Sequence, residues 1–361
     1  MNILHIVRTF DLSGRSRMIR DLCVGLAGEC ESTVACLTGP VSFRPAGVEV
    51  TGLNLSGSGF SFHGMMDVAR LAGRLQAQVL HSHGRGAAVY AAGARLLHRR
   101  ARLVHTVHRA DGDLTSERSI VRDTTCRAMD RVVAVSGGAA DAFCRANKHP
   151  RDEVAVVYNG VDLARFRSAN HKSTIGNRKS PALVSVANLS PDKDFDVLLE
   201  ALRIVREKLP VRLVVVGDGP ERQRVEQLVR DSGLDEAVEL LGRRDDVPAI
   251  LAAADVFVHA ARTEGLGIAV LEAMAARVPV VATAVGGLTE IVEPEKTGLL
   301  VEPGDAPAFA KAALRLLDSR PLRESLAERA CARVEEEFSI ERMCGSYATI
   351  YRGLCGGLQS C

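Results

Sequence analysis

The sequence predicts an α/β protein built from two doubly wound, mainly parallel sheets in tandem. Short apolar runs alternate with amphipathic stretches along the whole chain, which is the pattern of βαβ units. The alternation breaks at the polar, poorly periodic "RSANHKSTIGNRKS" of residues 167–180 and then restarts. At 361 residues the chain also exceeds one ordinary core and suits two domains of about 150–200 residues each.

In order, the front strand candidates are "NILHIV", "STVACL", "VEVTGL", "VLHSH", "RLVHTVH", "RVVAVS" and "VAVVYNG", with helical patterns such as 65–75 and 86–97 between them. After the polar break come "ALVSVAN", "VRLVVVG", "VELLG", "DVFVHA" and "VPVVAT", each separated from the next by a helix. Residues 1–167 then form the first domain and 168–339 the second. Helical patterns fill 305–354; the last, "SIERMCGSYATIYRGL", is expected to cross back so that 340–361 brace the first domain. Ligands of such sheets bind at the carboxyl ends of strands, which directs attention to the strand-to-helix loops.

Composition narrows the class. Apolar residues make up 47% and charged residues 25%, an ordinary soluble balance, and a net charge of +2 argues against a dedicated nucleic-acid binder. The charge is uneven: 21 Lys and Arg face 15 Asp and Glu over residues 1–165, against 25 and 29 over 166–361. The front half therefore suits an anionic partner, such as a charged acceptor or a membrane surface contacted peripherally. No run approaches the roughly 20 apolar residues of a membrane span, and "MNILHIV" reads as a first strand rather than a signal peptide. Nine cysteines without C-x-x-C spacing fit reduced thiols and hence a cytoplasmic location, with the front-half charge suiting peripheral contact at the inner membrane face.

The stretch "TEGLGIAVLEAMAARVPVVATAVGG", residues 263–287, carries Glu264 and Glu272 eight positions apart. On one helix they would stand about 80° apart around the axis and about 12 Å along it. That is too far for the carboxylate pairs of most glycosidases, about 5 Å or about 6.5–9.5 Å apart. With the helix starting near Gly267, Glu264 lies in the loop and Glu272 inside an apolar helix, where a carboxylate must find partners. The Gly265-Leu266-Gly267 segment lets the backbone approach a ligand closely and offers amides at a helix N-terminus, a natural anion site. A ligand with a negative middle and hydroxyl-rich ends fits this layout.

Other strand ends agree. "LVVVGDGPE" closes on Gly217, and "VANLSPDKDF" sets Lys193 just before a helix, where its ammonium can meet a phosphate. In the front domain, Ser13-Gly14 precedes a helix with Arg15 and Arg17 in its first turn. His81, His83, His105 and His108 close two strands; because side chains alternate, at most one of His105 and His108 faces a shared site.

Together these segments resemble the GT-B-fold, family-4 retaining glycosyltransferases, which use nucleotide-sugar donors. The likeness covers nearly the whole chain and is strongest over 182–305, in "NLSPDKDFDVLLEAL", "VVVGDGPER", "LLGRRDDVPAILAAADVFVHA", "EGLGIAVLEAMAARVPVVATAVGGLTEIV" and "TGLLVEPGD". In front, "VVAVSGGAADAF" and "VYNGVDLARF" follow in the family's order. The resemblance implies two Rossmann-like domains facing a cleft, with a nucleotide-sugar donor held by the second. It makes Glu264, His108 and Lys193 the catalytic set: Glu264 on donor-sugar hydroxyls, His108 near sugar and acceptor, and Lys193 neutralising the diphosphate. Donor binding falls to Glu272 on the ribose and to the amides of Gly265, Leu266 and Gly267 near the diphosphate. Gly217, Arg243, Asn188 and Gly14 complete the donor contacts, Arg243 and its neighbour Gly242 beside the base. The departing diphosphate would be stabilised electrostatically, with no cofactor and no obligatory metal. The acceptor would be a sugar, a lipid-linked species or a small molecule, in synthesis of a surface glycan or glycolipid.

The chain departs from the family pattern at two places. Asn188 stands where the family usually has Arg, five residues before the lysine, leaving Arg15, Arg17 or Arg262 to replace that charge. The front loop is Ser13-Gly14 rather than Gly-Gly, and Ser16 replaces a common acid. These departures motivate one alternative, a catalytically silent GT-B protein that binds a nucleotide or a partner; a GT-B nucleotide-sugar epimerase is the other.

Overall fold

A computed structural model describes residues 1–11, 13–39, 41, 43–55, 60–108, 125–167 and 180–356. The linker expected at 167–180 lies, apart from its two end residues, outside the described residues. The chain divides into two compact units, Met1–Gly160 with Ile340–Cys361, and Val161–Ser339.

The first unit is a seven-stranded parallel sheet in the order β3-β2-β1-β4-β5-β6-β7. Its strands are β1 (Asn2–Val7), β2 (Glu31–Cys36), β3 (Glu49–Gly52), β4 (Val79–His83), β5 (Arg102–Val107), β6 (Arg131–Ala134) and β7 (Val154–Val156). Helices cover it, among them Gly14–Gly25, Phe62–Arg74, Arg85–Leu97 and Gly137–Asn147. Strand β4 is buried along its whole length and β1 along nearly all of it, as expected for strands covered on both faces. The helix Ile340–Cys355 belongs to this unit: it packs on the helix Gly14–Gly25 and buries Tyr347 and Tyr351 completely. The order of strands reverses between β1 and β4, so the loops leaving those two strands diverge and open a crevice.

The second unit is a six-stranded parallel sheet, β10-β9-β8-β11-β12-β13. Its strands are β8 (Ala182–Val186), β9 (Arg212–Val216), β10 (Val238–Leu240), β11 (Val256–His259), β12 (Val280–Thr283) and β13 (Leu299–Val301). Here the reversal falls between β8 and β11. The helix Phe195–Arg206 shows how the pattern builds the core. Phe195, Leu198, Leu199, Leu202 and Val205 recur at helical spacing and are buried, while Arg203 on the outer face pairs with Glu200 and Glu207. Burying such a stripe contributes about 1.5–3 kcal/mol for each large apolar side chain.

Residues 161–167, given to the first domain by the sequence, sit with the second. Val161 N–H donates to the Phe338 carbonyl at 2.9 Å, and Arg167 pairs with Glu335. The helix Leu163–Arg167 packs against the helices Val247–Ala252 and Ile268–Ala275.

Candidate active site

The two loops that diverge at the switch point of the second sheet carry the expected carboxylate, Glu264, and ammonium, Lys193. Beyond β8 the chain runs through residues 187–194 to the helix Phe195–Arg206; beyond β11 it runs through residues 260–267 to the helix Ile268–Ala275. The loops are stitched by an antiparallel bridge between Lys193 and Ala261, and Arg262 N–H donates to the Asp192 carbonyl at 2.8 Å. Thr283, at the end of β12, accepts from Ala261 N–H and donates to the Ala261 carbonyl, both at 2.9 Å.

Within this frame Glu264 is gripped by three donors. Lys193 Nζ donates to Oε2 at 2.7 Å and His259 Nε2 lies 3.0 Å from the same oxygen, while Gly265 N–H donates to Oε1 at 3.2 Å. His259 is 2% exposed and its Nδ1 has no partner among the described residues, so a proton on Nε2 faces the carboxylate. Burial pushes the Glu264 carboxyl up, but the ammonium of Lys193 and the ring of His259 outweigh it and hold the carboxyl well below the usual range. Burial likewise pushes Lys193 down, and the Glu264 and Asp192 charges more than reverse that. Lys193 Nζ lies 3.0 Å from Asp192 Oδ2 and its side chain is only 10% exposed. A carboxylate has about four acceptor positions and an ammonium three donors. Among the described residues, three positions of Glu264 and two donors of Lys193 are taken.

Leu266 and Gly267 complete the loop. Gly267 caps the helix Ile268–Ala275 at φ +96°, where an added Cβ would stand 2.5 Å from Leu288 Cδ2. Gly287 donates to the Glu264 carbonyl at 3.2 Å, and a Cβ there would stand 2.5 Å from both the Gly265 carbonyl oxygen and Leu266 Cα. The turn after β12 thus presses on the turn after β11 and fixes the direction of the helix N-terminus. The Gly265 amide, expected near a phosphate, points here to the carboxylate of Glu264, the residue before it. Glu272 lies inside the helix and is 5% exposed, as its apolar neighbours require.

Gly217 and Gly242 meet at the ends of β9 and β10, where Gly217 N–H donates to the Gly242 carbonyl at 2.8 Å; the neighbouring Arg243 is exposed. Gly217 has a structural duty: at φ +137°, an added Cβ would stand 1.8 Å from the Ala187 carbonyl oxygen. Asn188 is exposed, and its carbonyl accepts from Ser190 N–H at 2.9 Å. Arg262, one candidate for the charge missing at Asn188, is committed to Asp194, with two contacts of 3.1 Å. Asp194 gives up side-chain capping of its own helix to make this pair.

In the first unit, Gly14 opens the helix Gly14–Gly25 and His108 follows β5 directly. Ser16 is fully buried in the place of the family's acid and knits the preceding turn, accepting from Asp11 N–H at 3.2 Å and donating to Asp11 Oδ1 at 3.3 Å. His108 Nε2 lies 3.1 Å from His83 Nδ1. Burial first, then the charge of Arg15, holds His108 well below the ordinary histidine pKa. His105 turns elsewhere, to Ser82 Oγ at 3.0 Å, so this histidine pair does part as strand alternation requires.

Sequence reasoning passed over His259, Asp192, Asp194 and Thr283. His259 alone left a signal, as a polar residue closing an apolar strand five positions before Glu264.

Two family models run through the chain: one described as Glycosyltransferase Family 4 over residues 12–165, the other as Glycosyl transferases group 1 over residues 166–333. N-acetyl-alpha-D-glucosaminyl L-malate synthase of Bacillus anthracis is 30% identical over 295 residues, which span 79% of this chain and 77% of that protein. The chain belongs to the family-4 glycosyltransferases. This glycosyltransferase is also 32% identical over 230 residues to the alpha-D-kanosaminyltransferase of Streptomyces kanamyceticus, spanning 61% of this chain and 60% of that one. Among solved structures, Anabaena HepE in complex with UDP-glucose superposes with a TM-score of 0.83 at 22% identity, covering 98% of this chain and all of that one. The likeness shows that this glycosyltransferase has the GT-B fold of two Rossmann-like domains. No helix among its described residues is long and apolar enough to cross a membrane.

Proposed function

We propose that this glycosyltransferase moves a sugar from a nucleoside-diphosphate sugar to a sugar, lipid-linked or small-molecule acceptor in glycan assembly, retaining the anomeric configuration and requiring no metal. The observation that carries this reading is the Lys193–Glu264–His259 network at the switch point of the second sheet, with a helix N-terminus directly beyond it. Glu264 offers its remaining acceptor position to a donor-sugar hydroxyl. The third donor of Lys193 and the helix amides after Gly265 face the diphosphate, where negative charge grows as the glycosidic bond breaks. Glu272 takes the ribose, Gly217 and Arg243 flank the base, and His108 and Gly14 act from the first domain. Support comes from the solved HepE complexes, which contain UDP, glucose or UDP-glucose. Relatives named for lipopolysaccharide-core and colanic-acid synthesis support glycan assembly. Peripheral contact with anionic membrane belongs to the same reading. Leu96 and Leu97 are 72% and 56% exposed, with exposed Arg99 and Arg100 beside them.

Thermal unfolding with UDP-, GDP- and ADP-sugars, for the wild type and Glu272→Ala, tests the donor site. A donor at about 100 times its Kd adds about 2.7 kcal/mol of apparent stability. A shift with one base class, weakened in Glu272→Ala, is the expected result. A folded wild type that shifts with none of them overturns the donor site and favours the silent protein. Product NMR reads the anomer, and activity after chelation reads the metal requirement.

A further inference from the structure

Behind His108 the first sheet holds a column of histidines that no step of the donor site uses. Register sets His5 on β1 beside His81 on β4, and the two-residue period of a strand puts His83 on the same face as His81. His5 Nδ1 lies 3.0 Å from His83 Nε2, and His83 Nδ1 lies 3.1 Å from His108 Nε2. We propose that His83, backed by His5, is a positioning residue that fixes the ring and the tautomer of His108, so that His108 presents Nδ1–H as a hydrogen-bond donor. This rests on the reading of His108 as the histidine near sugar and acceptor.

A neutral imidazole has one N–H and one lone pair. Each N···N contact in the column consumes one of each, so the three tautomers are locked in step. With protons on every Nδ1, the inner end of the column is a bare lone pair at His5 Nε2. With protons on every Nε2, it is a buried N–H. His5 is fully buried and its Nε2 has no partner among the described residues, and an orphaned N–H is the rarer and costlier outcome. The proton of His108 therefore belongs on Nδ1, and its lone pair is capped by His83 N–H. Burial reinforces the neutral state, lowering His5 to about 3 and His83 well below its ordinary value.

The hydrogen bonds of these rings are at odds with a metal site, although nitrogens of His5, His81 and His83 lie within 4.8 Å of one another. His81 gives Nδ1 to the Tyr351 hydroxyl at 2.7 Å and Nε2 to Thr106 Oγ1 at 2.8 Å. Both nitrogens of His83 are taken by its neighbours. His81 instead braces His83, with ring centroids 4.1 Å apart. His108 so held can donate to an oxygen of sugar or acceptor but cannot take a proton as a general base.

Nitrogen-15 NMR of the full chain labelled at histidine, with His108 assigned by its own substitution, tests this directly. We expect His108 protonated at Nδ1 in the wild type and a mixture of tautomers in His83→Phe. In His83→Phe kcat should fall about tenfold or more with little change in donor KM, and His83→Gln, whose amide can still donate, should recover most of it. A wild-type His108 protonated at Nε2, or a tautomer unchanged in His83→Phe, overturns the proposal. Should His83→Phe not fold, the wild-type tautomer and the Gln variant decide. Full activity in His108→Ala would instead overturn the role given to His108 and leave the tautomer assignment standing.

Discussion

Glu264 and Lys193 are largely buried partners, their side chains 17% and 10% exposed, and such a pair tolerates loss of one member poorly. Lys193→Ala leaves the Glu264 and Asp192 carboxylates facing a site without their ammonium, and should destabilise the second domain by about 3–5 kcal/mol. Denaturant unfolding reads this, and a loss below about 1 kcal/mol would mean that the pair is solvated. The pH dependence has a fixed sign. Because the carboxyl of Glu264 is depressed in the folded protein, its contribution is complete above the unfolded value of about 4.5 and shrinks as pH falls below it. The stability gap between wild type and Glu264→Gln should therefore narrow from pH 6 to pH 3.5; a constant gap would contradict the depression. At this scale the sequence was legible where side chain and local turn suffice, as for Glu264 in a loop ahead of Gly267. For His259 it showed only a polar residue closing an apolar strand, because the chain must fold back within five residues before the ring meets the carboxylate.

Elements decide how rigidly those residues are held. Thr283 ends β12, yet its hydroxyl serves both backbone groups of Ala261 on the loop after β11. Thr283→Val keeps the shape and orphans a buried N–H and C=O, costing about 1–3 kcal/mol for each group. Donor affinity should fall with it, because Lys193 and Ala261 are bridged; calorimetric titration with unchanged affinity would show that the loops hold themselves. The strands were readable because parallel strands buried on both faces are continuous apolar runs. The short β13, Leu299–Val301, gave too little signal. The histidine column was hidden for another reason: His5 and His83 are 78 positions apart and meet only because β1 lies beside β4. Local pattern does not encode strand order.

At the scale of the whole molecule, the second unit is continuous and the first is not. Residues 161–339 contain their own core and both loops proposed to hold the donor, so expressed alone they should fold and bind a nucleoside diphosphate. Residues 1–160 alone lack Tyr347 and Tyr351, which close Thr106 and His81, and should not fold cooperatively. Circular dichroism melts of the two fragments check both expectations, and a cooperative melt of 1–160 would remove the closing role of the last helix. The discontinuity also sets a calendar for the newborn chain. Domains emerging from a ribosome generally mature in the order of their synthesis. Here the first sheet is translated early yet must wait, its histidine face uncovered, until residues 340–355 appear behind a second domain that can already be finished.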